Sequence, residues 1–290
     1  MTAKIITSDT INGAAYSFTP TQVEDLIVLP LLNESVAMSV SDVLRPSVGK
    51  TVELPIILDD APKDATNADP GWVAEGAEIP LVSTPVEQAL ALLHHKIAAR
   101  IEVPWERIAD TSYDVKNEYG NSLVRRLVNI IDRAYFDEEV SAPVTGVGQL
   151  KGINEITTKG LKNTDALLDA IEHAANKGAT VNTFVMAPST LTKIAKLKRE
   201  TGSEEPLLGV AENPGASTIA GVELKRSRWI KPDVIYAIPR DRMKVSLRED
   251  VQVKYDENSD FNRMVGGLIA YARISMGSIQ PDAISKITIS

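Results

Sequence analysis

Two stretches of alternating apolar and polar residues flank a long turn-rich segment in the first third of the chain. Apolar side chains take every second position from Val52 to Leu58 and again from Ala89 to Val103, which is the period of a β-strand with one apolar face. Residues 59–85 between them are rich in Pro, Gly, Asp and Asn. A single strand from Val86 to Val103 would span roughly 60 Å, whereas a domain of this size is only about 40–45 Å across. We therefore expect a hairpin that protrudes or bends sharply.

Such a hairpin creates a stability problem for an isolated chain. A two-stranded ribbon alone in water is marginally stable, and its long unpaired edges invite pairing with another chain. We therefore expect the hairpin to lie on a neighbouring copy of the same protein.

The remaining chain predicts one long helix, one compact subdomain and one strand-rich region. Apolar residues recur every four positions from Tyr119 to Tyr135, which predicts a helix over 115–140. Residues 151–235 alternate helix and strand patterns and predict an α/β subdomain. Residues 241–290 alternate at the strand period and need a partner sheet, which we expect among the elements before residue 140.

The N-terminal segment predicts a short helix in an apolar setting. Thr19 and Pro20 are a typical helix start, and Pro30 ends the pattern. The segment is too apolar for a solvated tail and too short for a domain, so we expect it to pack on another element, with the first layer of an ordinary core as the alternative.

Composition excludes several classes of protein. The 290 residues carry a net charge of −8 and no cysteine, so disulfides and thiolate metal sites are excluded. No apolar run approaches the roughly 20 residues that span a bilayer, and the N-terminus lacks the pattern of a signal peptide, so we expect synthesis in the cytosol. The negative charge disfavours general affinity for nucleic acid, although a protein that merely encloses DNA tolerates that sign.

Catalytic chemistry has no candidate residues in this sequence. His94 and His95 fall on opposite faces of one predicted strand, and no metal-binding spacing of histidines and carboxylates occurs. The glycine-rich loop from Gly146 to Gly152 lacks the Gly-Lys-Ser/Thr ending of a phosphate-binding loop. The Asp59-Asp60 and Glu138-Glu139 pairs are interpreted as solvated charge, and the three tryptophans as packing anchors. We expect no enzyme activity and no cofactor.

The order of these parts resembles the major capsid proteins of tailed phages, which share the Hong Kong 97-type fold. The resemblance covers nearly the whole chain, and it depends on the order and spacing of its motifs rather than on any one of them. The motifs are the hairpin sequence WVAEGAEI from Trp72, the run VPWERI from Val103 into the long helix, the junction from Gly146 to Ile153, and the strand from Gly267 to Met276 followed by Gln280-Pro-Asp-Ala-Ile284.

The resemblance implies an α+β fold with an assigned set of regions. Residues 1–50 resemble an N-terminal arm, 51–103 an extended hairpin loop, 104–150 together with 236–290 a peripheral domain with a spine helix over 115–140, and 151–235 an axial domain. The implied function is self-assembly into hexamers and pentamers of an icosahedral head around double-stranded DNA, which is enclosed without sequence-specific binding. Implied partners are a portal, decoration proteins and a scaffolding protein; no membrane is involved.

Two features depart from the family pattern. Many members begin with a scaffolding segment of their own, whereas the arm-like region here begins near residue 10, so scaffolding would be a separate protein, absent or already removed. Some members join a hairpin lysine to an asparagine of the peripheral domain. Lys63 lies in the hairpin and Asn258 and Asn262 lie near the other region, but Arg263 occupies the matching position, so we do not expect this crosslink.

Two other functions stay open at the level of sequence. An encapsulin-like shell, a bacterial compartment of the same fold, would enclose protein cargo instead of DNA. A small-molecule enzyme built on 151–240 would require a pocket with converging polar groups. For the capsid interpretation, the residues expected at subunit contacts are Trp72, Glu75, Gly76, Ile79, Ile97, Ile101, Leu26 and Leu29.

Overall fold

The computed structural model describes residues 35–47, 49–58, 72–76, 79, 86–109, 115–160, 163–196 and 218–290. The helices are α1 (Val36–Val40), α2 (Trp105–Ala109), α3 (Val115–Phe136), α4 (Asp165–Asn176) and α5 (Pro188–Ala195). The strands are β1 (Asp42–Leu44), β2 (Thr51–Leu58), β3 (Val86–Leu93), β4 (His95–Pro104), β5 (Asn154–Thr158), β6 (Thr183–Met186), β7 (Thr218–Ile219), β8 (Val222–Arg226), β9 (Val234–Ile238), β10 (Met243–Asp260), β11 (Val265–Ser278) and β12 (Ser285–Ile289).

A four-stranded sheet and the long helix form the first body. The strand order is β1-β10-β11-β4; β1 runs parallel to β10 and the other pairs are antiparallel. Helix α3 packs across β11 and β4, because its residues at four-residue spacing form one apolar stripe. Leu123, Leu127 and Ile131 in that stripe are fully buried. The predicted partnership between 241–290 and elements before residue 140 is confirmed for β10 and β11, but not for β12.

The long helix ends at Phe136, four residues before the predicted end at 140. Its last turn is approached by the glycine-rich loop. A Cβ at Gly146 would lie 2.4 Å from Tyr135 Cα and 2.4 Å from the Ala134 carbonyl oxygen. The glycines of this loop therefore allow two backbones to touch, a structural reason that involves no phosphate binding.

A six-stranded sheet forms the second body, in the order β5-β12-β9-β6-β8-β7. Helices α4 and α5 contribute to the core on one face of it, and alternate residues of β9 belong to the core that α3 builds on the other. All five residues of β9 are buried for this reason, which explains its uninterrupted apolar sequence. Helices and strands alternate over 151–235, as the sequence pattern predicted.

The second sheet takes more of the chain than the sequence predicted. Strand β12 pairs in parallel with β5 and antiparallel with β9, so the last strand does not join the sheet of 241–280 as expected. Strand β9 itself crosses the predicted boundary at residue 235. The physical reason is pairing: β12 supplies the hydrogen-bonding partner that β5 and β9 both lack on one edge.

The single long strand expected over 86–103 is two strands. β3 pairs with β2 in a separate two-stranded ribbon, whereas β4 pairs with β11 in the four-stranded sheet. The break is at His94, which belongs to neither strand. Of the two expected outcomes, a protrusion or a sharp bend, the structure shows the bend, and no continuous strand of roughly 60 Å forms.

Candidate interaction surface

The two-stranded ribbon of β2 and β3 extends from the body of the protein, and few contacts with the rest of the chain support it. Its register runs from Thr51 opposite Leu93 to Leu58 opposite Val86. In the described part of the chain, neither outer edge of this ribbon pairs with another strand. Pro55, which has no N–H to donate, lies in β2 and is tolerated because that strand is an edge. The ribbon therefore presents unsatisfied backbone groups to any chain that approaches it.

Among the described residues, the contacts that anchor the ribbon lie near its base. Leu92 is buried there, 2% exposed. A Cβ on Gly277 of β11 would lie 3.0 Å from Leu92 Cδ2 and 3.4 Å from Leu90 Cδ1. The absence of a side chain at Gly277 therefore lets the foot of the ribbon rest on the four-stranded sheet.

His94 fixes the angle at which the ribbon departs. Its backbone N–H donates to the Lys50 carbonyl at 3.0 Å. Its ring Nδ1 lies 3.0 Å from the same carbonyl, and Nε2 lies 2.8 Å from the Ser246 hydroxyl. Because a carbonyl oxygen only accepts, Nδ1 carries the proton and donates. This 6%-exposed histidine thus joins the ribbon to β10, a role that sequence reasoning missed because the residue looked like an ordinary strand position.

Large apolar side chains stand in solvent in the described part of the segment between the ribbon strands. Trp72 is 107% exposed and Ile79 is 79% exposed, so the interpretation of Trp72 as a packing anchor is wrong within one chain. Glu75 and Gly76 form a turn between them, with Gly76 at φ +77°, a backbone conformation that favours glycine. A fully exposed tryptophan is rare on a soluble surface.

The other predicted interface residues lie elsewhere. Ile97 and Ile101 are half-buried on β4 and pack against the core of their own chain, so the apolar face of β4 is accounted for without a second subunit. Their participation in subunit contacts stays a prediction. Leu26, Leu29 and Lys63 lie outside the described residues.

The N-terminal segment is attached to α3 through a buried carboxylate. Asp132 Oδ1 accepts from the Ser35 hydroxyl at 2.7 Å and from the Ala37 N–H at 3.0 Å, and Oδ2 accepts from the Val36 N–H at 3.3 Å. Burial raises the pKa of Asp132, while these hydrogen bonds and the charge of Arg228 act in the opposite direction. Asp132 lies outside the apolar stripe of α3, yet it is only 6% exposed, and it holds the first turn of α1.

A second charged junction ties the end of α3 to the six-stranded sheet. Glu138 contacts Lys286 Nζ at 2.6 Å and accepts from the Tyr236 hydroxyl at 2.9 Å. Burial opposes the ionised form of Glu138, but the Lys286 and Tyr236 hydrogen bonds prevail and lower its pKa. Glu139 is solvated as predicted and pairs with Lys231. The interpretation of Glu138 as solvated charge is wrong, because its side chain bridges two bodies of the fold.

Within the described residues, no group of three or more His, Asp or Glu side chains is arranged to hold a metal ion. None of the helices in the described ranges is both long enough and apolar enough to cross a bilayer.

Comparison with known proteins matches nearly the whole chain to one protein family. The model of the phage capsid family matches residues 17–289. No curated protein matches the sequence. Among solved structures, one from Microbacterium phage Oxtober96 is 17% identical, with a TM-score of 0.69 over 99% of this chain and 96% of that one.

Two further solved structures match the chain over a similar length. The capsid of a native GTA particle is 16% identical with a TM-score of 0.67, and a structure from Mycobacterium phage Adephagia is 17% identical with a TM-score of 0.62. Each covers 99% of this chain and 95% of the other. At such identities the likeness establishes the shared fold, and the family match carries the relationship of the sequences.

Proposed function

The chain belongs to the phage capsid family, and from that premise we propose that it assembles into the hexamers and pentamers of an icosahedral phage head that encloses double-stranded DNA. The α+β Hong Kong 97-type fold expected from the sequence is confirmed. The protein is a phage capsid protein of the virion, and its structural role is consistent with the absence of a catalytic motif in the sequence.

The observation that carries the proposal is the exposed ribbon with its apolar tip. Burying a tryptophan side chain removes about 200 Å² from water, which is worth ~5 kcal/mol at about 25 cal/mol per Å². Within one chain Trp72 gains none of this stabilisation and Ile79 gains little, because both are largely exposed to solvent. Contact with a sister subunit supplies it, and a closed symmetric shell satisfies every copy at once.

The regions of the subunit are proposed from the likeness to phage capsid proteins and from the pairing of the strands. We assign 1–50 to an N-terminal arm, 104–150 with β10 and β11 to a peripheral domain, and 151–235 to an axial domain that also includes the end of β9 and the last strand β12, because both strands lie in the six-stranded sheet. The extended loop begins at residue 51, and its protruding part ends at His94, where β4 enters the four-stranded sheet.

The partners proposed for this protein are those of a phage head. They are further copies of the chain, a portal, decoration proteins, and a scaffolding protein that is separate if one is used. Assembly takes place in the host cytoplasm. DNA is enclosed without sequence recognition, in keeping with a net charge of −8 that gives no broad phosphate-binding surface.

The test is electron microscopy of the purified protein beside a Trp72→Asp variant. The wild-type chain is expected to form closed shells, and Trp72→Asp to stay as subunits with unchanged circular dichroism. Leu168→Asp is the matched control, because Leu168 is also an exposed apolar residue, 46% exposed, but lies on α4 away from the ribbon.

Three results would contradict the proposal. A compact monomer at high concentration would refute assembly itself. Shells unaffected by Trp72→Asp would refute the role given to the ribbon tip. Particles from the natural source that hold protein cargo and no nucleic acid would instead favour the encapsulin-like alternative.

A further inference from the structure

Positively charged side chains from two elements meet where the long helix α3 passes the end of β8. Arg125 of α3, Arg226 at the end of β8 and Arg228 just beyond it line one cavity of about 500 Å³. These three residues form the arginine cluster, and all of them are exposed. Within the described residues, neither Arg125 nor Arg226 forms an ion pair.

The arginine cluster keeps an excess of positive charge when the nearby carboxylate is counted. Among the described residues that line the cavity, Asp132 is the one carboxylate. Its oxygens accept hydrogen bonds from the segment that begins at Ser35, and the charge of Arg228 favours its ionised form. Three arginines against one carboxylate leave a charge of +2 in a protein whose net charge is −8. Since Arg228 acts on Asp132, the excess resides on Arg125 and Arg226.

Neighbouring side chains hold part of the cluster in place. The guanidinium carbons of Arg228 and Arg133 lie 5.0 Å and 5.5 Å from the centre of the Trp229 ring. Arg228 also donates to the Asn129 side-chain oxygen, and Arg133 pairs with Asp137. Contacts between a guanidinium group and an aromatic ring restrict the orientation of the cation. Less side-chain freedom is therefore lost when Arg228 binds an anion.

The lining of the cavity offers hydrogen-bond donors to such an anion. A guanidinium group only donates, in a planar fork that matches the oxygens of a phosphate or a carboxylate. Because the Asn129 oxygen accepts from Arg228, the Asn129 amide nitrogen remains able to donate. The proposed phage head contains a partner that presents acceptors densely, since duplex DNA carries one phosphate charge per about 1.7 Å of its axis.

We propose that Arg125, Arg226 and Arg228 bind the phosphate backbone of the DNA that the shell encloses. Because the proposed phage head supplies the DNA, this site rests on the proposed function. The contact is local, since negative charge elsewhere on the subunit repels a duplex, and it reads no sequence, because phosphates carry none. The contact is repeated in every copy of the subunit, so the shell holds the duplex through many weak sites at once.

Binding of a short fluorescent DNA duplex to unassembled full-length subunits tests the proposal. Fluorescence anisotropy gives the affinity at several salt concentrations. Arg125→Gln with Arg226→Gln should weaken binding at least about tenfold at low salt. It should also lower the slope of log K against log salt by about 2, because each lost phosphate contact removes about 0.9. Arg125→Lys with Arg226→Lys keeps both charges and should keep the wild-type slope.

Lys151→Gln with Lys159→Gln is the matched control. It also removes two positive charges from exposed side chains. These lysines flank β5, which is separated from β8 by β12, β9 and β6 in the six-stranded sheet. The control should therefore leave both the affinity for DNA and its salt dependence unchanged.

Several results would overturn the proposal. They are wild-type subunits that form shells but do not bind the duplex, equal affinities in all variants, and an equal loss in the Arg125→Gln, Arg226→Gln chain and the lysine control. Weaker binding of poly-glutamate with unchanged binding of DNA would instead assign the cluster to an acidic protein.

Microscopy of the same variants separates this site from shell formation. The Arg125→Gln, Arg226→Gln chain is expected to form closed shells as the wild-type chain does, while its subunits bind DNA weakly. Failure of this variant alone to form shells would assign the arginines to a contact between subunits and overturn the proposal. Failure of the wild-type chain to form shells would refute the proposed function, whatever the affinity of its subunits for DNA.

Discussion

Replacing Asp132 by Ala tests how the N-terminal segment is held on the subunit. The change removes the acceptor for the Ser35 hydroxyl and for the Val36 and Ala37 N–H groups. A buried donor left without a partner costs about 1–3 kcal/mol. Ser35 and Ala37 are 1% and 0% exposed, so both bear this cost, whereas Val36 borders a cavity through which water can reach its N–H.

The expected loss is smaller than the sum of these costs. Burial makes the ionised carboxylate itself unfavourable, as the raised pKa of Asp132 indicates, and its removal returns part of the free energy. We expect Asp132→Ala to lower the free energy of unfolding by ~2–3 kcal/mol. Asp132→Asn keeps an oxygen for Ser35 and Ala37, so its expected loss is below about 1 kcal/mol.

Urea denaturation of unassembled subunits measures these differences, with an unchanged m-value as the sign that the unfolded state is unaffected. Hydrogen exchange at residues 36–40 should accelerate in Asp132→Ala and not in Asp132→Asn. A double-mutant cycle with Ser35→Ala should give a coupling of ~1 kcal/mol or more, since the two side chains share a buried hydrogen bond. If Asp132→Ala is as stable as Asp132→Asn, the attachment described here does not stabilise the subunit.

Three further outcomes are expected. Gly146→Ala should lower the free energy of unfolding by about 3 kcal/mol or more, because its Cβ would overlap backbone atoms at 2.4 Å. Gly152→Ala, at φ +79° in open space, should lower it by only about 1 kcal/mol. Equal losses of stability in thermal unfolding would contradict the close approach of the two backbones at Gly146. His94→Ala should lower the unfolding free energy by ~2–3 kcal/mol, because it leaves the buried Ser246 hydroxyl unpaired. It should also speed hydrogen exchange at the base of the ribbon. Unchanged exchange there would argue against the role of His94 in joining the ribbon to β10. The folded-state pKa of Glu138 lies below its ordinary value of 4.5, so its contribution is present above that pH and is lost as pH falls through the lowered folded value. Lys286→Met should reduce the loss of stability on acidification in the pH range where Glu138 titrates. An acid-unfolding curve identical to that of the wild-type protein would refute the stabilising contact between Glu138 and Lys286.

Local patterns in the sequence carried much of the architecture. The four-residue spacing of apolar side chains located α3, since burial of one stripe requires that spacing whatever the stripe packs against. Alternation located β2 and both halves of 86–103, and the uninterrupted apolar run of β9 is what burial on two faces requires. The exposure of Trp72 was not evident from the sequence, where an isolated tryptophan was interpreted as a packing anchor.

These local patterns could not predict which segments pair with each other over long distances in the chain. Whether 285–289 joined one sheet or the other depended on which edge was vacant, and alternation is the same in both. At the break between β3 and β4, His94 contacts Ser246, 152 residues away in the chain. Asp132 and Glu138 look like any surface carboxylate until the segments that bury them are in place. Periodicity reports only how each segment divides between core and solvent, whereas the partner that fills each hydrogen bond and each cavity is chosen by the assembled tertiary structure.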